Sequence, residues 1–154
     1  MDRTSLLLQR VNDEVQIVTQ LLDTLDQEEQ VLLSDAVDQL VELSQLKSQV
    51  VGDFALASQA RYALLQNMGY APEDRSMQLV LDNNSHPLLL KNWTHFLDLV
   101  ATAKEKNRVN GILLQKSSFR NQSALDVIQG RKSGALYGPN GQKNSPSNFR
   151  TTVS

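Results

Sequence analysis

The chain contains no cysteine, which excludes a disulfide framework and thiolate chemistry and fits a reducing compartment. Aromatic residues are 5% of its 154 residues, too few for a sandwich of aromatic and β-branched strands. No apolar run approaches the roughly 20 residues that span a bilayer. Acids interrupt the N-terminal stretch MDRTSLLLQRVNDEV too early for a signal peptide. These absences point to the cytoplasm, with no direct membrane insertion. Acid itself is missing from residues 131–154, which hold Arg131, Lys132, Lys143 and Arg150 for a net +4. The other 130 residues carry eleven bases and seventeen acids, a net −6. An acidic body with so sparse a basic tail argues against a nucleic-acid partner.

What remains is helical periodicity. From about Asp2 to Leu33, apolar residues recur in alternating steps of three and four at Leu8, Val11, Val15, Val18, Leu22, Leu25 and Leu32, with Glu29 as a polar interruption. Ser34 or Asp35 is placed to cap a second helix running to about Met68. Gly69 then takes the left-handed position and Pro72 lies beyond. The seam of that helix is Leu40, Leu43, Val50, Phe54, Ala57, Leu64 and Met68, with Lys47 and Arg61 in seam slots. Two readings of these cations are open: a buried stem with the charge at the edge, or a register-fixing pair with an acid of the first helix such as Glu29 or Asp26. So short a link between two long helices predicts an antiparallel hairpin.

Pro72-Glu73-Asp74 opens a short connector helix that crosses an end of the hairpin. Pro87 suits the first position of a third long helix, with Ser85 or His86 at its cap. Its seam reads Leu90, Trp93, Leu97, Val100, Gly111, Leu114, Leu125 and Ile128, with Lys104, Asn107, Ser118 and Asn121 in the intervening slots, and it ends at Gly130. The fold class is therefore all-α: an elongated antiparallel bundle of three long helices, roughly 45–60 Å long at 1.5 Å rise per residue. Residues 1–130 form the bundle. Residues 131–154, rich in Gly and Pro, form a flexible tail that buries too little to offset its ordering entropy.

Catalysis has little to stand on. His86 and His95 are nine residues apart, the wrong spacing for two metal ligands on one helical face. His95 and Asp98 are three apart, but no nucleophile is tied to them. Asp23, Asp26, Glu28 and Glu29 read as a solvated face, and PNGQ lacks the strand and lysine of a phosphate loop. No catalytic residue, metal or cofactor is expected; the protein is not an enzyme. The third helix is more informative. Besides its seam it carries Val109, Leu113, Ala124 and Val127 on nearly the opposite side, and Ile112 and Phe119 on a flank. A helix apolar on two sides needs two partners. Either its neighbours wrap both sides, or one side receives a helix of another protein. Asn110-Gly111 interrupts this helix, and the glycine predicts a close backbone approach. Tyr137, among glycines and a proline, is suited to docking.

Three stretches in order, VNGILL (109–114), RNQSALDVI (120–128) and LYGPNGQ (136–142), resemble the C-terminal signature of the FlgN family of flagellar type III export chaperones. The helical hairpin and the lysine of LKSQVV are similar in pattern. The resemblance covers about the last third by motif and matches at Asn110, Gly111, Asn121, Gln122, Leu125, Leu136, Tyr137 and Gly138. It implies a cytoplasmic, non-enzymatic chaperone that binds the C-terminal helical segments of hook–filament junction proteins and delivers them to the export gate. Clients would lie on the third helix at Val109, Ile112, Leu113, Phe119, Ala124, Leu125, Val127 and Ile128. Leu136, Tyr137 and Gly138 would dock on the cytoplasmic domain of the export-gate membrane protein. A reading from another class is a structural coiled coil that self-associates, for instance as a homodimer, through the same apolar rows.

Overall fold

The computed structural model describes residues 1–133, without the side chains of residue 121 and residues 131–133. Contacts divide the chain into two units, the first Met1–Leu113 and the second beginning at Leu114. The elements are α1 (Arg3–Ser34), a 3₁₀ turn (Val37–Gln39), α2 (Leu40–Asn67), α3 (Arg75–Asn83) and α4 (Pro87–Ser133). Every element among the described residues is helical.

Helix ends follow local chemistry. Asp2 caps α1: its carboxylate accepts from Ser5 N at 3.0 Å and from Ser5 Oγ at 2.8 Å. Those two bonds, the side-chain one first, hold the Asp2 pKa below its ordinary value. At the far end Asp35 adopts the left-handed conformation, φ 57°, as the C-cap of α1, and Ser34 donates back to Val31 O. Neither residue caps α2, whose N-cap is Gln39 with no side-chain bond. The 3₁₀ turn occupies the space in which that cap was expected. α2 ends as expected: Gly69 has φ 92°, its N–H bonds Gln66 O, and Tyr70 N–H bonds Leu65 O, the paired closure of a Schellman motif. His86 caps α4, Nδ1 accepting from Leu89 N at 3.2 Å, with Pro87 at the first helical position. α4 continues three residues past Gly130, because nothing in Arg131-Lys132-Ser133 forbids helix.

In the first unit α1 and α2 run antiparallel, and the numbers of their paired residues sum to a constant. Glu14 meets Arg61 and Glu28 meets Lys47, each pair summing to 75. The row on α1 is Leu7, Val11, Glu14, Val18, Leu21, Leu25, Glu28 and Leu32, strict steps of four and three. α4 antiparallels α2, stacking Phe96 on Phe54 with ring centroids 6.1 Å apart. Met77 and Val80 of α3 join Leu7, Leu65 and Leu89 in the core, closing the end of the hairpin where α1 begins and α2 finishes.

The seam expected for α4 holds at Trp93, which is buried, and at Val100, which packs against the core, and fails at other positions. Leu90 and Leu97 are about half exposed, as is Leu114, and Gly111 is exposed. The buried residues are Leu89, Trp93, Phe96, Ala103, Asn110 and Ser117. Leu89, Phe96, Ala103, Asn110 and Ser117 recur every seven residues, but the last three are small or polar. Leu90 and Leu97, which follow Leu89 and Phe96, and Leu114, which lies between Asn110 and Ser117, point elsewhere.

Candidate functional site

Two charged layers cross the hairpin. In the first, Arg61 is 1% exposed and Glu14 fully buried. Arg61 Nε and Nη2 donate to the two Glu14 oxygens, Nη2 also donates to Asp74 Oδ1 at 2.9 Å, and Ser58 Oγ donates to Glu14 Oε1 at 2.7 Å. The guanidinium carbon lies 4.8 Å from the ring centroids of both Tyr62 and Trp93, so α4 supplies π faces to the same cation. Burial works against the Arg61 charge, but the Glu14 and Asp74 carboxylates outweigh it and raise its pKa. Among the buried side-chain polar atoms described, Arg61 Nη1 has no hydrogen-bond partner.

In the second layer Lys47 Nζ donates to Glu28 at 3.0 and 3.2 Å and to Asn107 Oδ1 at 3.2 Å. Asn110, 3% exposed, donates from Nδ2 to Glu28 Oε1 at 2.8 Å and to Leu25 O at 2.9 Å. Three helices thus meet on one carboxylate. Of the two open readings for Lys47 and Arg61, pairing with α1 is the one observed. The acids are Glu28 and Glu14, however, not Glu29 or Asp26; Asp26 instead pairs with Lys106 at 2.7 Å. Glu28 therefore leaves the solvated face to which it was assigned, while Asp26 stays exposed as expected.

Among the described motif residues, the one that packs is Asn110. Its neighbour Gly111 shows no close approach: a methyl built there meets nothing within 4 Å. Val109 and Leu113 are half-buried and lie toward the core flank, while Ile112 is 40% exposed. A groove of about 380 Å³ opens between α1, α2 and α4 over Phe54, Val18 and Ala103, with Lys47, Lys104 and Asn107 at its rim.

In the second unit the expected client residues face solvent. Phe119 is 74% exposed, Val127 55%, Leu125 51% and Ile128 48%, and Ala124 and Gln122 are exposed. At 100° per residue Leu114, Leu125 and Ile128 share one sector of α4, whereas Phe119 and Val127 lie roughly 130–150° from its centre on either side. Apolar surface is thus presented on several sides. The Asn121 side chain lies outside the described residues, as do Leu136, Tyr137 and Gly138 and the whole tail expectation.

Glu14 and Glu28 were missed as seam residues because isolated acids in a helix are usually solvated. The signal was available: they stand fourteen residues apart in α1, as Lys47 and Arg61 do in α2.

A helical scaffold with uncovered apolar side chains on its last helix is a protein-interaction module. Residues 1–145 match the family model described as FlgN protein, and the chain belongs to the FlgN family. It is 25% identical to the flagella synthesis protein FlgN of Yersinia enterocolitica over 133 residues, 85% of this chain and 84% of that one. The flagella synthesis protein FlgN of Salmonella typhimurium is also 25% identical, over 130 residues covering 81% of this chain and 91% of its own. No solved structure matches significantly. No helix among the described residues is long and apolar enough to cross a membrane.

Proposed function

We propose that this protein is a cytoplasmic flagellar export chaperone. It binds the C-terminal helical segments of hook–filament junction proteins on α4, prevents their premature assembly, and delivers them to the export gate through Leu136, Tyr137 and Gly138. It acts by binding alone, without catalysis or cofactor. Family membership supports the flagellar role. The observation that carries the client site is the exposure of Phe119, Leu125, Val127 and Ile128 on one helix. A client segment that is disordered before assembly can fold against such a helix, and the ordering cost keeps the complex reversible, as export requires.

The test is the double variant Phe119→Asp with Val127→Asp. Both residues are more than half exposed, so circular dichroism should be unchanged. Each burial is worth about 1.5–3 kcal/mol, so affinity for a junction-protein C-terminal peptide should fall at least about 100-fold. Undiminished binding overturns the client site. Tyr137→Ala should spare the client and weaken capture by the gate's cytoplasmic domain; equal gate affinities refute that role. Light scattering separates the self-associating alternative, which requires a tight homodimer that ignores the peptide.

A further inference from the structure

Between Arg10 and Lys47 the chain runs 36 residues with nine acids and no Lys or Arg. The fold supplies cations to some of these acids: Arg61 to Glu14, Lys106 to Asp26 and Lys47 to Glu28. Two acids near the start of α2 differ from these. Among the described residues no cation stands at ion-pair distance from Asp38 or Glu42, which lie one helical turn apart.

The same end carries uncovered apolar surface. Leu33 is 62% exposed, Val37 44%, Val41 65% and Leu46 42%. A groove of about 500 Å³ runs between α1 and the start of α2, with Val31, Leu43 and Leu46 as its apolar side and Gln39 and Glu42 along its edge. Gln39, Glu42, Leu43 and Leu46 have the i, i+3, i+4, i+7 spacing of one helical face, the geometry that receives another helix.

We infer that the turn end of the α1–α2 hairpin docks a basic amphipathic helix of a partner protein, through residues other than those of the client face of α4. The apolar stripe of that helix lies in the groove, and its flanking Lys or Arg residues meet Glu42 and Asp38. Charge selects this occupant. A second copy of the chain in a two-fold contact would bring the same acids against each other, and an acidic helix would be repelled.

The probe is a synthetic amphipathic peptide of about 18 residues, with leucines at helical spacing flanked by lysines. It is titrated into the ¹⁵N-labelled full chain, beside a peptide with glutamates for the lysines. The expected result is saturable shift changes confined to residues 27–46, weakened by added salt, and none with the glutamate peptide. Asp38→Lys with Glu42→Lys, and separately Leu46→Asp, should each weaken binding at least about tenfold; the Phe119→Asp, Val127→Asp variant should bind as wild type. All of these sites are exposed or at an edge, so folding is checked by the unshifted remainder of the spectrum. The inference is overturned if the wild type does not bind, or if shifts spread to acids elsewhere such as Asp53 and Asp98. It is equally overturned if charge reversal changes nothing, or if the turn end proves to be a self-association contact in sedimentation. Its failure would leave the client site on α4 standing, because the α4 variant is scored against a different peptide.

Discussion

The two charged layers of the hairpin have the same electrostatic plan and different solvation. Glu14–Arg61 is dry, with side chains 0% and 1% exposed; Glu28–Lys47 is damp, at 13% and 28%. They stand fourteen residues apart, close to four helical turns. Both fix register. Sliding α2 by one heptad in either direction keeps apolar residues facing apolar residues nearly everywhere, but it sets Glu14 against Phe54 or Met68 and Glu28 against Leu40 or Phe54. An unpaired buried acid is far costlier than a slightly worse apolar fit. The layers therefore choose among alignments that the hydrophobic rows leave nearly equivalent.

The difference lies in what happens when one partner is removed. Arg61→Ala strands Glu14 where water does not reach, and should cost on the order of 3–5 kcal/mol. Lys47→Ala leaves Glu28 an Asn110 donor and access to solvent, and should cost about 1 kcal/mol or less. Urea titration of the two variants measures both; equal losses would erase the distinction between the layers. Arg61→Leu with Glu14→Leu should recover most of the loss while leaving register less defined, since apolar replacements often match a buried pair in energy.

A smaller contrast sits within the NG pair of α4. Asn110→Ala deletes two buried donations and leaves Leu25 O and Glu28 short of a partner, a loss of about 1–3 kcal/mol. Gly111→Ala adds a methyl into open space in mid-helix and should stabilise by about 0.5–1 kcal/mol. Opposite signs in thermal unfolding are the expected outcome. Destabilisation by Gly111→Ala would show that the glycine has a packing role after all.

These contrasts also show where sequence was legible. The hairpin and its end were, because α2 repeats large apolar residues at heptad spacing and stops at a glycine that only the left-handed region suits. The Lys47 and Arg61 slots were visible; their partners were not, because a lone acid in an amphipathic helix resembles solvated surface until the fourteen-residue match between helices is noticed. α4 was read correctly at Trp93 and Val100 but one residue late at Leu90 and Leu97. Its buried row passes through Ala103, Asn110 and Ser117, which carry little hydrophobic signal, while Leu90, Leu97 and Leu114 carry much and point outward. The same abundance of outward leucine, valine and phenylalanine made exposed apolar surface readable beyond Ser118. In the NG pair the helix breaker drew the inference and its neighbour makes the contact.

The smallest effect tests how dry the first layer is at its edge. Asp74 is 55% exposed and accepts from Tyr62 Oη at 2.8 Å as well as from Arg61. Burial first, and then the bond to Asp74, raise the Tyr62 pKa above its ordinary value near 10. A raised folded pKa favours the neutral phenol, so this contribution is complete below the ordinary value and is lost as pH climbs through the folded one. The stability difference between the wild type and Tyr62→Phe should therefore hold steady from about pH 7 to 9 and narrow above about pH 10. Asn110→Ala compared with the wild type serves as the reference, since the side chain it removes does not titrate; a gap that narrows equally there would trace the change to groups other than Tyr62. A Tyr62→Phe gap that stays constant through pH 11 would mean that solvent already reaches the phenol and that the dry layer ends at Arg61.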